Sequence, residues 1–364
     1  MKLDEYVPKH ILEITPYSLD QDFPQDLSEK YTRISLNENL VVKRERIIQL
    51  LNKSLKEIDP RLYPEPHGRI ATSTISKFFG IKESKIFIGN GLDDVLDRIS
   101  RIFINQKTNI GTLEPTFSIY SYYIELCQGI NVPISLSENF NLDVEKVLDH
   151  CKKDVKILFI CSPNSPTGNQ FKAEDVKKIV SYFDGIVILD ETYVDFAKYS
   201  AYNWVDNFEN LIVLKSFSKS YGLAGVRIGY LFAGEDIVEV LKKSVHPFNV
   251  NSISQHLVNF IFSNNDYFKE NIDYIKKERE RLSSALQQID GLIVYPSDAN
   301  FILFRINKDI SSSEVQKGLK EAGLLVKDRG NMPLLENCIR VTVSTQEMND
   351  KFLYALKNIL EDKG

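Results

Sequence analysis

The sequence predicts an α/β fold with a mainly parallel sheet, followed by a smaller α+β domain. From about residue 86 to residue 232, short apolar runs alternate with stretches of helical periodicity, which is typical of successive strand–helix–strand units. After Gly291 the order becomes strand, strand, helix, strand, strand, helix, which predicts a separate α+β unit. The length of 364 residues exceeds what one hydrophobic core usually supports, so two domains are expected.

Seven apolar runs are predicted strands of the larger domain, at 86–90, 109–113, 130–134, 157–161, 186–190, 211–215 and 227–232. Helical periodicity predicts helices between them at 92–104, 144–151 and 173–183. The pattern from 250 to 289 is helical, and its long charged run at 267–289 is predicted to leave the larger domain. The clearest elements of the smaller domain are strands at 301–306 and 338–344 and a closing helix at 346–360.

The amino-acid composition excludes several classes of function. Apolar residues make up 43% of the chain and charged residues 26%, which are ordinary values for a globular enzyme. The 45 basic and 50 acidic side chains are mixed along the chain, so we do not expect the clustered basic surface that nucleic-acid binding requires. The sequence has neither a signal-peptide core nor an apolar stretch of about 20 residues. We therefore expect a cytoplasmic protein without a membrane partner.

Cysteine and histidine spacing gives no indication of a metal. The four cysteines are far apart, with no Cys-x-x-Cys pair, at Cys127, Cys151, Cys161 and Cys338. The five histidines are scattered as well. Zinc sites and redox motifs place these residues at short, regular spacing, so no metal is predicted.

The most informative residue is Lys219, in a Ser-Phe-Ser-Lys-Ser-Tyr-Gly run. Upstream, Asp190 closes an apolar run, Tyr193 follows it, and Asn164 lies in a Pro-rich segment. Each has an ordinary alternative, because a lone lysine is usually a solvated charge, an aspartate often caps a helix, and such a segment is often a loop. Their order along the chain, just beyond predicted strands, favours a common site, because open α/β sheets bind ligands there.

These residues match the needs of pyridoxal 5′-phosphate (PLP), a cofactor that proteins bind and tune. Lys219 would supply the Schiff base and then act as general base, which requires a lowered pKa. Asp190 would hold the proton on the pyridine nitrogen, because an opposite charge favours the protonated form. Asn164 and Tyr193 would donate to the 3-oxygen of the ring. Lys219, Asp190 and Tyr193 are therefore the predicted catalytic residues.

A phosphate anchor is predicted where the first strand of the series meets the following helix. Gly89 and Gly91 permit a tight turn, and the helix N-terminus directs its positive end at an anion. The predicted phosphate ligands are the side chains of Ser216, Ser218 and Arg227 and the backbone at Gly91, Leu92 and Asp93. A dinucleotide-binding fingerprint would need a third glycine at Asp94, and its absence argues against a nicotinamide enzyme.

Over nearly its whole length the chain resembles fold-type I PLP enzymes and, within them, the histidinol-phosphate aminotransferases. The lysine motif is shared by many of these enzymes, whereas Tyr-Pro-Glu-Pro at 63–66 and Pro-Phe-Asn-Val-Asn-Ser at 247–252 narrow the subfamily. The resemblance implies a seven-stranded sheet with one antiparallel strand. It also implies three parts, namely an N-terminal arm (1–36) against the small domain and dimer interface, a large PLP-binding domain (37–280) and a small C-terminal domain (281–364).

The resemblance also assigns roles to residues that spacing alone leaves as core or loop. Phe117 would stack on the pyridine ring. Tyr63 would reach the cofactor phosphate of the neighbouring subunit in a homodimer. The substrate-binding residues that the resemblance implies are Tyr17, Asn37, Tyr120, Lys327 and Arg340, although the two tyrosines could instead only pack.

The chain departs from the family pattern at three positions. Lys327 stands where a second phosphate-binding arginine is expected, and Arg329 follows two residues later. A lysine keeps the charge but lacks the bidentate fork. Leu92 replaces a small residue and Asp94 replaces a glutamate, changes that contacts through the backbone should tolerate.

The activity implied by the resemblance is transamination of histidinol phosphate with 2-oxoglutarate. This reaction gives imidazole-acetol phosphate and glutamate in histidine biosynthesis. Two enzymatic alternatives remain open: an aromatic amino-acid aminotransferase and a PLP-dependent decarboxylase of a phosphorylated amino acid. A third is a non-catalytic ligand-binding module, which would need a fused DNA-binding segment for which the short arm leaves no room.

Overall fold

The computed structural model of the chain describes residues 2–18, 31–152 and 154–361. Its helices and strands, in chain order, are α1 (Lys9–Glu13), β1 (Thr32–Arg33), α2 (Arg44–Lys56), α3 (Arg69–Phe79), β2 (Ile86–Gly89), α4 (Leu92–Phe103), β3 (Asn109–Glu114), α5 (Ile119–Leu126), β4 (Ile130–Ser135), α6 (Val144–Cys151), β5 (Val155–Cys161), α7 (Ala173–Tyr182), β6 (Ile186–Asp190), β7 (Leu211–Ser216), β8 (Gly229–Phe232), α8 (Glu235–Lys243), α9 (Ser252–Phe262), α10 (Asn265–Gln287), β9 (Leu292–Val294), β10 (Phe301–Ile306), α11 (Ser312–Glu321), β11 (Leu324–Leu325), β12 (Lys327–Asp328), β13 (Cys338–Thr342) and α12 (Gln346–Glu361).

The larger sheet has seven strands in the order β2-β8-β7-β6-β5-β3-β4. Strand β8 runs antiparallel to both of its neighbours, and the remaining pairs are parallel. The predicted mainly parallel seven-stranded sheet with one antiparallel strand is therefore confirmed.

Both faces of this sheet are buried. Along β5, Leu158 and Ile160 belong to one hydrophobic core, whereas Ile157 and Phe159 belong to the core on the opposite face. Helices α2, α3, α6, α7 and α9 contribute to the first core, and α4, α5 and α8 contribute to the second. Parallel strands that are covered on both faces have nearly continuous apolar sequences, and for this reason these strands could be predicted from the sequence.

The register of the sheet brings chemically useful residues to one edge. The carboxyl ends of β5, β6 and β7 lie at the same edge because these strands are parallel. Strand β8 begins there, since Gly229 pairs with Gly89 at the end of β2 and with Ser216 at the end of β7. The loops before β8 and after β2 therefore meet the carboxyl ends of the parallel strands, which is where ligands bind in open α/β sheets.

A second, four-stranded sheet in the order β12-β13-β10-β9 forms the smaller α+β part. Its strands are antiparallel. A separate hydrophobic core includes residues of β10, β13, α11 and α12 together with α10 from Ile272 onward. The predicted change of pattern after Gly291 corresponds to the start of this sheet at β9.

The predicted division into 1–36, 37–280 and 281–364 remains a prediction. Residues 1, 19–30 and 362–364, which belong to the predicted arm and small domain, lie outside the described residues. In the described part of the arm, β1 pairs in parallel with β11. The boundary placed at residue 280 falls within α10, which is one continuous helix.

Some elements differ from the sequence prediction. The strand predicted at 227–232 begins at Gly229, because Arg227 takes a left-handed conformation with φ of 57°, which a strand does not tolerate. Helices α1, α2, α3, α5 and α8 were not predicted. In α5, tyrosines and isoleucines dominate a short segment of low intrinsic helix propensity, and the helix is stabilised by burial of Ile119, Tyr120 and Ile124.

A buried ion pair joins the ends of β6 and β7. Lys215 Nζ lies 3.6 Å from Glu191 Oε2, and the two side chains are 5% and 1% exposed. Glu191 also accepts hydrogen bonds from the backbone N–H of Ala201 (2.6 Å) and from the hydroxyl of Ser200. Burial raises the pKa of the Glu191 carboxyl. The pair links the two strand ends that carry the residues of the cavity described below.

We expect Lys215→Met to lower the free energy of unfolding by about 3–5 kcal/mol, because it leaves Glu191 buried without its cation. Urea unfolding measures this loss. The control is Lys82→Met, since Lys82 and Glu235 are also 3.6 Å apart but are 78% and 51% exposed, and an exposed pair contributes at most about 1 kcal/mol. Equal losses in the two variants would contradict a structural role for the buried pair.

Candidate functional site

A cavity of about 610 Å³ lies at the carboxyl edge of the large sheet, with residues of the four-stranded sheet in its wall. Most of the predicted site residues line it, namely Tyr17, Asn37, Leu92, Asp93, Phe117, Asp190, Tyr193, Ser216, Ser218, Lys219, Arg227, Lys327 and Arg340. Four predicted residues are not among those that line it, namely Tyr63, Gly91, Tyr120 and Asn164.

Lys219 lies in the loop between β7 and β8 and contributes its amine to the cavity. Its Nζ donates a hydrogen bond to the backbone carbonyl of Leu36 (2.7 Å). Burial and, after it, the positive charge of Arg340 lower the pKa of this amine to about 8. The neutral amine is the nucleophilic form, so Lys219 is reactive at a lower pH than an ordinary lysine.

Asp190 is the last residue of β6 and is 2% exposed. Its Oδ2 accepts a hydrogen bond from the Tyr120 hydroxyl (2.7 Å), and its Oδ1 accepts from the backbone N–H (2.9 Å) and hydroxyl (2.6 Å) of Thr192. Burial raises the pKa of the Asp190 carboxyl. Its partners among the described residues are neutral, so a cationic group in the cavity would strongly favour the ionised form.

Tyr120 does not occupy the predicted substrate position. Its ring is buried and stacks on Phe159, with 4.7 Å between the centroids. Its hydroxyl is bonded to Asp190, so Tyr120 orients the carboxylate from behind the cavity wall. No sequence pattern indicates this contact, because it depends on how α5 packs against β5.

Tyr193 presents a hydroxyl to the cavity. Its oxygen accepts a hydrogen bond from Asn37 Nδ2 (2.9 Å), and its ring packs edge-on against Phe301. Burial raises the pKa of Tyr193, which keeps the hydroxyl protonated. Within the described part of the chain no group accepts that proton, so Tyr193 can donate it to an oxygen in the cavity.

An anion site lies at the N-terminus of α4. Gly91 caps the helix with φ of 87°, and a Cβ at this position would overlap the guanidinium of Arg227. Arg227 Nη2 donates to Asp93 Oδ2 (2.9 Å) in an exposed ion pair. Such a pair is weak, so an incoming anion can replace the carboxylate. The first N–H groups of the helix, which have no intrahelical partner, point to the same place.

The two predicted phosphate-binding serines line the cavity at the end of β7. Ser216 Oγ accepts a hydrogen bond from the backbone N–H of Ser218 (3.1 Å). Because that bond uses an oxygen lone pair, the Ser216 hydroxyl proton is left for another acceptor.

Asn164 is fully buried, and its amide is engaged within the protein. Its Nδ2 donates to the carbonyl of Pro115 (2.8 Å) and to Thr167 Oγ1 (2.8 Å), while its Oδ1 accepts from the Thr116 hydroxyl (2.9 Å). Both amide protons are therefore in use. In this geometry Asn164 cannot make the predicted donation to a ring oxygen without exchanging one of these partners.

The other predicted aromatic residues occupy different environments. Phe117 lines the cavity and meets Tyr120 edge-on, with 5.7 Å between the centroids. Tyr17 also lines the cavity. Tyr63 is 82% exposed and stacks on Phe248 outside it, so this ring is accessible to another chain but not to the cavity of its own.

Strands β12 and β13 give the cavity a cationic wall. Lys327 is paired with Arg340 in the β12–β13 register, and Arg329 follows β12. Arg340 is buried, with Nη2 donating to the carbonyl of Ser35 (2.6 Å). Glu38 lines the same cavity and forms an ion pair with Arg33. The sequence analysis did not predict Glu38 as a site residue, although it lies next to the predicted Asn37, in the Leu-Asn-Glu-Asn segment at 36–39.

The cavity combines three chemical properties: an amine of lowered pKa, a buried carboxylate in the same lining, and a cradle for an anion. In the described ranges, no group of His, Cys, Asp and Glu side chains is arranged to hold a metal ion. Across the same ranges, no helix has both the length and the apolar character needed to cross a membrane.

The chain belongs to the aminotransferase class I and II family, whose model matches residues 29–356. Among its relatives, the histidinol-phosphate aminotransferase of Thermoanaerobacter sp. (strain X514) is 36% identical over 329 residues, which cover 90% of this chain and 93% of that protein. The histidinol-phosphate aminotransferase of Christiangramia forsetii is 37% identical over 302 residues, covering 82% of this chain and 85% of that protein. The predicted resemblance is therefore confirmed.

A solved structure shares the fold. The histidinol-phosphate aminotransferase of Sinorhizobium meliloti, in complex with pyridoxal-5′-phosphate, superposes with a TM-score of 0.89 over 99% of this chain and 98% of that one. At 22% identity this similarity shows the fold alone, and it agrees with the predicted fold class.

We expect the ligand-free protein to react with an acylating reagent at Lys219 with a pH midpoint near 8, read peptide by peptide by mass spectrometry. Arg340→Met should move the midpoint upward, because removing a neighbouring positive charge makes the ammonium form less costly. Arg61→Met, at an exposed arginine paired with Asp59, is the control and should change nothing. A wild-type midpoint near the ordinary value of 10.5, or no shift in Arg340→Met, would contradict this assignment.

Proposed function

We propose that this protein is a PLP-dependent aminotransferase that converts histidinol phosphate and 2-oxoglutarate to imidazole-acetol phosphate and glutamate. The observation that carries the proposal is the shared cavity of Lys219, Asp190 and Arg227. These residues supply the amine, the buried carboxylate and the anion cradle that PLP requires. The relatives at 36% and 37% identity support histidinol phosphate as the substrate and histidine biosynthesis as the pathway.

The residues present fit the cofactor. Asp190 is a buried carboxylate with neutral partners, which suits a protonated pyridine nitrogen. The proton of Tyr193, free of acceptors among the described residues, suits the 3-oxygen. The N-terminus of α4, Arg227 and the serine hydroxyls at the end of β7 suit the phosphate, and Gly91 leaves the space that Arg227 occupies.

When bound, PLP supplies an electron sink for the pair left at the substrate Cα. Asp190 would hold the proton on the ring nitrogen, because a buried carboxylate stabilises a neighbouring positive charge. Lys219 would hold the cofactor covalently through its amine, and as a free neutral amine it would accept the proton from the substrate Cα. Its lowered pKa leaves a useful fraction of neutral base near neutral pH.

The cationic wall favours a substrate that carries an anionic group. Arg340 can bind the phosphate of histidinol phosphate and, in the second half-reaction, a carboxylate of 2-oxoglutarate. Lys327 contributes charge without the bidentate geometry of arginine, and Arg329, which also lines the cavity, can supply that geometry. Aromatic amino-acid transamination is the alternative that the substrate experiment below separates, and decarboxylation of a phosphorylated amino acid is the second alternative.

We also propose a homodimer in which Tyr63 of one subunit reaches the cofactor phosphate of the other. The exposed stack of Tyr63 on Phe248 supports this proposal, because it places a large aromatic surface where another chain can cover it. A cytoplasmic location remains part of the same proposal, as does the division into an arm, a large domain and a small domain.

We expect borohydride reduction of the purified protein to fix the cofactor to the peptide that contains Lys219. Lys219→Ala should transaminate more slowly by at least about 100-fold, since it removes the covalent link and the base together. The control is Lys178→Ala, because Lys178 is an exposed lysine of α7 and its loss should leave the rate unchanged. A label on any other lysine would overturn the assignment.

We expect kcat/KM for histidinol phosphate to exceed that for histidinol and for phenylalanine. Arg340→Met should reduce kcat/KM for histidinol phosphate by about 10- to 200-fold, the effect of losing roughly 1.5–3 kcal/mol of charge-assisted hydrogen bonding. Steady-state kinetics with the three amino donors measures both effects. If the wild-type protein used histidinol or phenylalanine equally well, the substrate proposal would fall while the aminotransferase proposal stood.

A further inference from the structure

One peptide unit lies between Lys219 and the four-stranded sheet. The carbonyl of Leu36 accepts the hydrogen bond from Lys219 Nζ (2.7 Å). The N–H of the same peptide, which belongs to Asn37, donates to Thr342 Oγ1 (3.0 Å). The lysine amine and the threonine hydroxyl are therefore bonded to opposite ends of one amide, across the edge of the cavity.

The threonine holds this peptide by two bonds. Besides accepting from the Asn37 N–H, Thr342 donates through its hydroxyl to Asn37 Oδ1 (3.3 Å). Its own backbone N–H donates to the carbonyl of Ile34 (2.9 Å). Both Thr342 and Asn37 are buried, so water is not present to replace a missing bond.

The backbone conformation at this point needs such support. Asn37 has a left-handed φ of 56°, a conformation that non-glycine residues adopt at a cost. Its carbonyl accepts from Asn300 Nδ2 (3.0 Å), and its own Nδ2 donates to Tyr193. The direction of the Leu36 carbonyl is thus set by contacts from β13 and from the loop before β10.

We propose that Thr342 is a positioning residue for Lys219, and that its hydroxyl fixes the Leu36–Asn37 peptide as the hydrogen-bond acceptor of the lysine amine. An amide whose N–H is bonded becomes a stronger acceptor at its carbonyl. Thr342 therefore determines where the amine lies when it is not covalently attached, and how firmly its charged form is held. The proposal rests on the proposed role of Lys219 in the reaction.

The charges around Lys219 stay the same when Thr342 is replaced. Arg340 and Arg227 lower the pKa of the amine, and Glu38 and Asp93 raise it. Since none of these groups is altered, a change in the titration of Lys219 on removing the Thr342 hydroxyl reports the hydrogen bond.

The test uses acylation of Lys219 in the cofactor-free chain as a function of pH, with mass spectrometry as the readout. Thr342→Val keeps the shape and removes the hydroxyl, whereas Thr342→Ser keeps the hydroxyl. The control is Thr112→Val, at a buried strand threonine whose hydroxyl also donates to an asparagine, Asn131 (2.8 Å), in the large sheet. If Thr342→Val does not fold, Thr342→Ala takes its place.

We expect Thr342→Val to lower the pH midpoint of Lys219 by roughly half a unit to one unit, because the ammonium loses part of a charge-assisted hydrogen bond. Thr342→Ser and Thr112→Val should keep the wild-type midpoint. In the holoenzyme, Thr342→Val should lower kcat by roughly 10-fold with little change in KM, since a displaced catalytic group affects the chemical step.

The proposal is overturned if Thr342→Val keeps the wild-type midpoint, or if Thr342→Ser shifts it as much as Thr342→Val. A fall in kcat without a shifted midpoint would also overturn it, because the effect would not pass through Lys219. The labelling readout needs no cofactor, so it is independent of the proposed reaction. Failure of borohydride to label Lys219 would refute the proposed function and leave this readout intact.

Discussion

The antiparallel direction of β8 determines where the chemistry of this protein can take place. Because β8 begins where β2 and β7 end, the helix N-terminus after β2 and the Lys219 loop meet at the same edge as Asp190. Gly229 makes the close approach possible, since a Cβ there would overlap the backbone of Leu92. A parallel β8 would begin at the opposite edge of the sheet, and Arg227, two residues before it, would be separated from the amine of Lys219.

Burial at this edge moves both reactive groups toward the neutral form, which the proposed chemistry needs for Lys219 but not for Asp190. Burial lowers the pKa of Lys219 and raises that of Asp190, so each group moves toward its neutral form. A ligand that brings a cation to Asp190 restores the ionised form of the carboxyl, and an anionic group on the same ligand can pair with Arg227. The site is therefore suited to a ligand that carries a cationic group and an anionic group at separate positions. The aminotransferase family to which the chain belongs is consistent with this requirement.

Local sequence patterns predicted the fold and much of the cavity, because several cavity residues lie where apolar strands end. Lys219 and Asp190 follow apolar runs, and the glycines at the start of α4 mark the anion site. The signals failed where a contact depends on packing between distant elements. Tyr120 contacts Asp190 because its ring stacks on Phe159, and Asn164 is turned toward Pro115 and Thr167. Neither contact can be deduced from spacing, and the residue roles in the site stay predictions.

Two segments that are far apart in the sequence meet at the cavity. Asn37 and Thr342 are 305 residues apart in sequence, and β1 pairs with β11. During synthesis the parallel strands of the large sheet can pair while the last strands are still in the ribosome, since domains tend to fold as units. The wall that contains Leu36 and Arg340 closes only after β13 has emerged. The edge of the sheet that carries Lys219 and Asp190 therefore stays open to solvent until β13 has been synthesised.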